Sequence, residues 1–129
     1  MATISRFKDL EIWQLARQQA NELFGLYTTN LFAKDYELRN QISRSSGSVM
    51  DNIAEGFERS GNEEFLNYLI IAKGSNGEVR SQLYRSSDRK YIDSDKFDDF
   101  MFKCELLSKK ITSFIKYLKE SNRIVFRFT

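Results

Sequence analysis

The chain contains no proline. Across 129 residues, only six glycines remain to interrupt a helix or shape a tight turn. A sandwich or barrel of many short strands needs such turns every few residues, so that class is excluded and long helices joined by few connections are expected. Apolar side chains make up 41% of the residues, among them eleven Phe and six Tyr. That is ample to order a chain of this size, and the length fits one domain over 1–129 rather than two independent cores.

The same counts bear on chemistry. With no histidine and a single cysteine, the chain lacks the usual near-neutral general base and the commonest metal ligand, and it cannot form an intrachain disulfide or a cysteine-built zinc site. Ser-His-Asp, Cys-His and His-metal chemistry are excluded. No enzymatic reaction, metal, cofactor or small-molecule substrate is expected. No stretch approaches the roughly 20 apolar residues of a membrane span, and the N-terminus has no long apolar run of a signal peptide. A cytoplasmic protein without a membrane partner is expected.

Apolar residues recurring at steps of three and four place four helices. The first runs from Asp9, a candidate N-cap, to about Asn30 along Leu10, Trp13, Ala16, Ala20, Leu23, Phe24, Tyr27 and Leu31. Ile12, Leu15 and Leu26 widen its apolar face beyond a single seam, which leaves room for a second partner surface. The second runs from Tyr36 to about Arg59 along Leu38, Ile42, Val49, Ile53 and Phe57. The run Ser45-Ser46-Gly47-Ser48 lies inside that line in unbroken phase, so it reads as a small-residue stretch of helix rather than a linker. Gly61 ends this helix, and Ser60 with Glu63 has capping-box spacing for the next. The third follows Phe65, Leu69, Ala72, Val79 and Leu83 and fades near Arg89. The fourth starts near Asp93 or Ser94 and carries the cleanest line, Phe97, Phe100, Met101, Cys104, Leu107, Ile111, Phe114, Ile115 and Leu118. An all-α, antiparallel up-down-up-down four-helix bundle follows from long helices and short turns. Residues 122–129 have no helical period and read as a non-helical C-terminal tail, either disordered or held against another surface.

On helix two, Arg44, Ser48, Asn52 and Glu55 share a polar stripe away from the apolar line. They also belong to two signatures: Leu38-x-x-Gln41-Ile42-x-Arg44-x-x-x-Ser48-x-x-x-Asn52-Ile53-Ala54-Glu55-Gly56, and Glu64-Phe65-x-x-x-Leu69-x-Ile71-Ala72-x-Gly74-Ser75-x-x-Glu78. Together with Phe7-x-x-Leu10-x-Ile12-Trp13-Gln14, these resemble the 23S rRNA intervening-sequence protein family from about Phe7 to Ile92. The resemblance implies a four-helix bundle assembling as a ring-shaped homopentamer with no established reaction. The family is also similar to the accessory proteins of diversity-generating retroelements, basic pentameric bundles that engage a reverse transcriptase and nucleic acid. Carried over by position, the motif residues are Arg44, Ser48, Asn52, Glu55, Gly56, Gly74, Ser75 and Glu78. They form a candidate structural or interface cluster in which Arg44 pairs with Glu55 or Glu78 and Gly74 permits close helix approach.

Charge points to one further surface. The formal net charge is only +2, yet from residue 100 onward Lys103, Lys109, Lys110, Lys116, Lys119, Arg123 and Arg127 face only Glu105 and Glu120. This basic end reads either as a solvated helix face or as a contact for RNA or DNA through Lys103, Lys109, Lys110, Lys116, Lys119 and Arg123. Two readings are therefore carried forward: a non-enzymatic oligomeric scaffold, and a nucleic-acid-binding accessory module.

Overall fold

The computed structural model describes residues 4–121, so the tail 122–129 and Arg123 lie outside the described residues. The described residues form an all-helical bundle. A 3-10 turn, Phe7–Asp9, leads into α1 (Glu11–Tyr27), α2 (Asn30–Lys34), α3 (Tyr36–Glu58), α4 (Asn62–Asp88) and α5 (Ser94–Glu120). The run Ser45 to Ser48 is helical, and the apolar lines expected for the second and third helices are buried throughout in α3 and α4.

Three local expectations need correction. The first helix stops at Tyr27, and a separate five-residue helix, α2, follows. Thr28 and Thr29 end α1 by donating their hydroxyls to the Phe24 and Leu26 carbonyls at 2.6 and 3.0 Å, and Asn30 then turns left-handed with φ 56°. Leu31 faces outward beyond the stop, and within α1 Phe24 is exposed while Ile12 and Leu26 take core positions. Asp9 does not cap α1. It closes the 3-10 turn, pairs with Arg6 at 3.5 Å, and leaves buried Leu10 as the N-cap without a side-chain bond. Nor do Ser60 and Glu63 form a capping box: the extended N-cap residue is Gly61, one position beyond Ser60. The caps that do form are Asp35, accepting from Leu38 N at 3.1 Å, and Asp93, accepting from Lys96 N at 2.8 Å.

Asp35 also ties distant turns together. Its carboxylate receives the Arg89 guanidinium at 2.7 Å and the Tyr91 hydroxyl at 2.8 Å, fastening the start of α3 to the end of α4. Contacts along these two helices run in opposite senses: Asp35 meets Arg89, Ser48 meets Ser75, and Gly56 lies against Tyr68. The pair is therefore antiparallel.

The core divides into two apolar halves. One gathers Leu10, Ile12, Ala16, Val49, Ile53, Phe57, Phe65, Leu69, Ala72, Leu107, Ile111, Ile115 and Leu118. The other gathers Leu23, Leu26, Tyr27, Phe32, Leu38, Ile42, Val79, Leu83, Ile92, Met101 and Cys104. Each fully buried large side chain contributes about 1.5–3 kcal/mol. Between the halves, three of the long helices bury polar side chains: Gln19 on α1, Ser45 and Ser46 on α3, Ser75 and Asn76 on α4. Gln19 Nε2 donates to Asn76 Oδ1 at 2.9 Å, and Asn76 Nδ2 donates to the Cys104 carbonyl at 2.8 Å. Asn76 thereby joins three helices across a polar waist.

Candidate functional site

The motif residues fall on the α3–α4 face, and the structure divides them into two sets. Ser48, Asn52 and Ser75 come together. The Ser48 and Ser75 hydroxyls are 2.9 Å apart, and Asn52 Nδ2 donates to the Ser48 carbonyl at 2.8 Å and to its hydroxyl at 2.9 Å. Next to them Gln82 Nε2 donates to Ser45 Oγ at 3.0 Å, and Arg85 donates to Gln41. Short serine side chains let the two backbones approach while their hydroxyls satisfy one another, as half-buried polar groups must. Gly56 serves the same approach further along. A Cβ there would stand 2.7 Å from Tyr68 Cβ and 3.0 Å from Phe65 Cδ1, so only glycine fits.

Arg44, Glu55, Gly74 and Glu78 are not part of that cluster. Glu55 pairs with Arg59 at 2.9 Å, and Arg59 also donates to the Tyr68 hydroxyl at 2.8 Å. The expected Arg44–Glu55 pair is thus replaced by a pair one helical turn apart within α3. Arg44 and Glu78 both line a groove of about 450 Å³ with Gln41, Ser45, Ser48 and Gln82. Both are exposed, and the structure records no ion pair between them. Gly74 is exposed too, with nothing within 4 Å of a Cβ placed on it. It therefore provides no close approach among the described residues. Ile70 and Ile71 beside it remain 51% and 50% exposed.

The basic residues of α5 also divide. Lys103 is held by Asp99 at 3.1 Å and Glu22 at 3.3 Å, contacts that raise its pKa, and Lys110 is held by Glu11 at 3.2 Å. Lys109, Lys116 and Lys119 are exposed and form no ion pair among the described residues. Phe102, 67% exposed, projects from the same helix.

Sequence reasoning missed the Gln19–Asn76–Cys104 network, because Asn76 sits in Gly74-Ser75-Asn76-Gly77 and reads there as one more small polar residue. Burial pushes the Cys104 thiol up to about 12, with its Sγ–H donating to Asn76 Oδ1 at 3.1 Å. A thiol in that state is a poor nucleophile at neutral pH. Among the described residues no three or more His, Cys, Asp or Glu side chains converge as metal ligands, and no helix is long and apolar enough to cross a membrane. What the face offers is hydrogen bonding, charge and apolar area for recognition.

Comparison with known proteins bears on the same residues. The family described as 23S rRNA-intervening sequence protein matches residues 8–113, a span that holds both signatures. No curated protein matches the chain. Among solved structures, the fold is similar to a protein of unknown function from the S23 ribosomal protein family of Bacteroides thetaiotaomicron. The TM-score is 0.74 and the identity 22%, over 81% of this chain and 98% of that one.

Proposed function

The chain belongs to the 23S rRNA-intervening sequence protein family, and we propose that it acts as a self-associating helical scaffold without an enzymatic reaction, in the ring of five that the sequence resemblance implies. The observation that carries this reading is the outward ridge of α4. Gly74 lies exposed beside two half-exposed isoleucines, with open space above it. A glycine inside an exposed helix costs about 0.5–1 kcal/mol relative to alanine, and nothing among the described residues uses the space it leaves. A helix of a second copy would use it, burying Ile70 and Ile71. The same contact would bring partners to Arg44 and Glu78 on the adjoining groove.

Light scattering at micromolar concentration tests this directly: the wild type should be several times the 15.2 kDa chain mass. Gly74→Leu and Ile71→Glu should each lower that mass while leaving helical content unchanged. A monomeric wild type refutes the scaffold, and variants that keep the wild-type mass refute this surface.

A second reading, nucleic-acid binding, is favoured by the exposed Lys109, Lys116 and Lys119 with Phe102 nearby, since amines neutralise phosphates and an exposed ring can stack on a base. Filter binding with structured RNA across a salt series should then show log affinity falling linearly with log salt, and Lys109→Glu, Lys116→Glu and Lys119→Glu together should abolish it. Absence of binding by the wild type at low salt removes this reading.

A further inference from the structure

We propose that the groove between α3 and α4 receives a second copy of this chain, with Arg44 of one copy paired to Glu78 of the other. The pairing presupposes the self-association proposed above and gives it a charged lock. The groove has a volume of about 450 Å³ and a polar lining: Gln41, Arg44, Ser45, Ser48, Glu78 and Gln82. Bonds between the two helices, Ser48 with Ser75 at one end and Gln41 with Arg85 at the other, bracket Arg44 on the α3 wall and Glu78 on the α4 wall. The neutral lining groups are engaged inside the chain, Ser45 with Gln82, Ser48 with Ser75 and Asn52, Gln41 with Arg85. Arg44 and Glu78 are exposed and form no ion pair among the described residues, whereas further along α3 Glu55 finds Arg59 at 2.9 Å. The groove thus presents a cation on one wall and an anion on the other.

Two features identify the occupant. The first is charge. A nucleic acid or an acidic peptide would suit Arg44 but meet repulsion at Glu78, and a basic peptide would do the reverse. A second copy carries the complement of both walls, since its own groove supplies the missing carboxylate and the missing guanidinium. The second is continuity with open apolar surface. At 100° per residue, Ile71, Gly74 and Glu78 lie within about 60° of one another around α4. Ile71 is half exposed, and nothing lies within 4 Å of a Cβ placed on Gly74. A helix laid along that stripe to bury Ile71 therefore reaches Glu78 as well, and charges taken out of water there must pair or impose a heavy cost. Apolar burial supplies the attraction, and the Arg44–Glu78 pair sets register and choice of partner.

The test is charge reversal followed by mixing, in the full chain. Arg44→Glu and Glu78→Arg should each lower the light-scattering mass at least about twofold, because each sets like charges against one another in the contact. One variant then carries a carboxylate on both walls and the other a guanidinium on both. An equimolar mixture of the two should therefore form assemblies at least about twofold heavier than either variant alone. A pair made within one chain cannot be mended by mixing, so a mixture that stays small overturns the proposal, and so do single variants that keep the wild-type mass. A monomeric wild type removes the scaffold as well, which keeps the two failures distinguishable. A second measurement preserves the charge. In Arg44→Lys, mixed from nitrogen-14 and nitrogen-15 chains, a zero-length carbodiimide should join position 44 to Glu78 in peptides that carry one isotope from each copy. Links of one isotope only, or none, would sink the proposal even if the reversed-charge variants misfold.

Discussion

Replacing Gly56 by alanine should destabilise the bundle, whereas the same replacement at Gly47 on the same helix should stabilise it. Both positions lie inside α3, where alanine in place of glycine gains about 0.5–1 kcal/mol from reduced freedom of the unfolded chain. At Gly47 nothing lies within 4 Å of the new methyl group, so the gain stands. At Gly56 the methyl group would meet Tyr68 Cβ at 2.7 Å, Phe65 Cδ1 at 3.0 Å and the Phe65 carbonyl at 3.3 Å. Tyr68 Cβ moves only with its backbone, so α4 itself must retreat close to the turn that joins it to α3. Overpacking of this kind costs about 1–3 kcal/mol, which exceeds the helix gain. The two variants should therefore differ by about 1–3 kcal/mol. For a chain of this length each kcal/mol moves Tm by about 3–6 °C. Denaturant midpoints followed by circular dichroism, at one fixed protein concentration so that any assembly contributes equally to both, give the comparison. A Gly56→Ala protein as stable as Gly47→Ala would refute the reasoning that glycine sets the α3–α4 distance.

Two other substitutions probe the polar anchors. The Asp35 carboxyl is held below the usual carboxylate range by the Leu38 N–H, then by the Tyr91 hydroxyl and Arg89, against the opposing effect of burial. A lowered folded pKa adds stability that is complete above the unfolded value of about 4 and is lost as pH falls through that value towards the folded one. Asp35→Asn should thus lower Tm at pH 7, with the difference from wild type shrinking below about pH 4; a pH-independent difference would show that the charge plays no part. Asn76→Ala should cost about 2–3 kcal/mol, because it strands Gln19 Nε2 and the Cys104 carbonyl in the core. Exposed Asn67→Ala on the same helix should stay within about 0.5 kcal/mol by denaturant titration, and a similar small effect at Asn76 would remove the network's energetic role.

The extent to which the fold could be read from sequence depended on the kind of interaction. Leu38, Ile42, Val49, Ile53 and Phe57 recur with the helical period because burial against a neighbouring helix demands it, and that periodicity is visible without knowing the neighbour. The end of α1 was hidden because Thr28 and Thr29 stop it with side-chain bonds to backbone carbonyls, which leave no break in apolar spacing. Within the motif residues, Gly56 carried a steric reason that only the position of Tyr68 reveals. Arg44 was expected to pair with Glu55 or Glu78 on the grounds of charge, but Arg59 one turn away from Glu55 takes that carboxylate. Gln19 and Asn76 meet across 57 positions of sequence, and no local pattern announces such a pair. Gly74 was legible as an unusual residue, but its outward direction depends on how α4 is rotated in the bundle.

The polar waist has a consequence for how the helices can move. Core residues flank it seven positions apart on three of the long helices, Ala16 and Leu23 on α1, Ile42 and Val49 on α3, Ala72 and Val79 on α4, whereas on α5 Cys104 and Leu107 stand three apart. Were the middle layer also apolar, one helix could slide past its neighbours by a heptad, about 10 Å, and meet an equivalent apolar environment. Asn76 forbids that slip, because each displaced register would carry its amide into hydrocarbon and leave Gln19 and Cys104 without their bonds. A single buried side chain thus acts as an index mark between two otherwise interchangeable halves. Any rearrangement this protein undergoes in an assembly should accordingly take the bundle as one body, with motion confined to its ends and outer faces rather than to sliding among its helices.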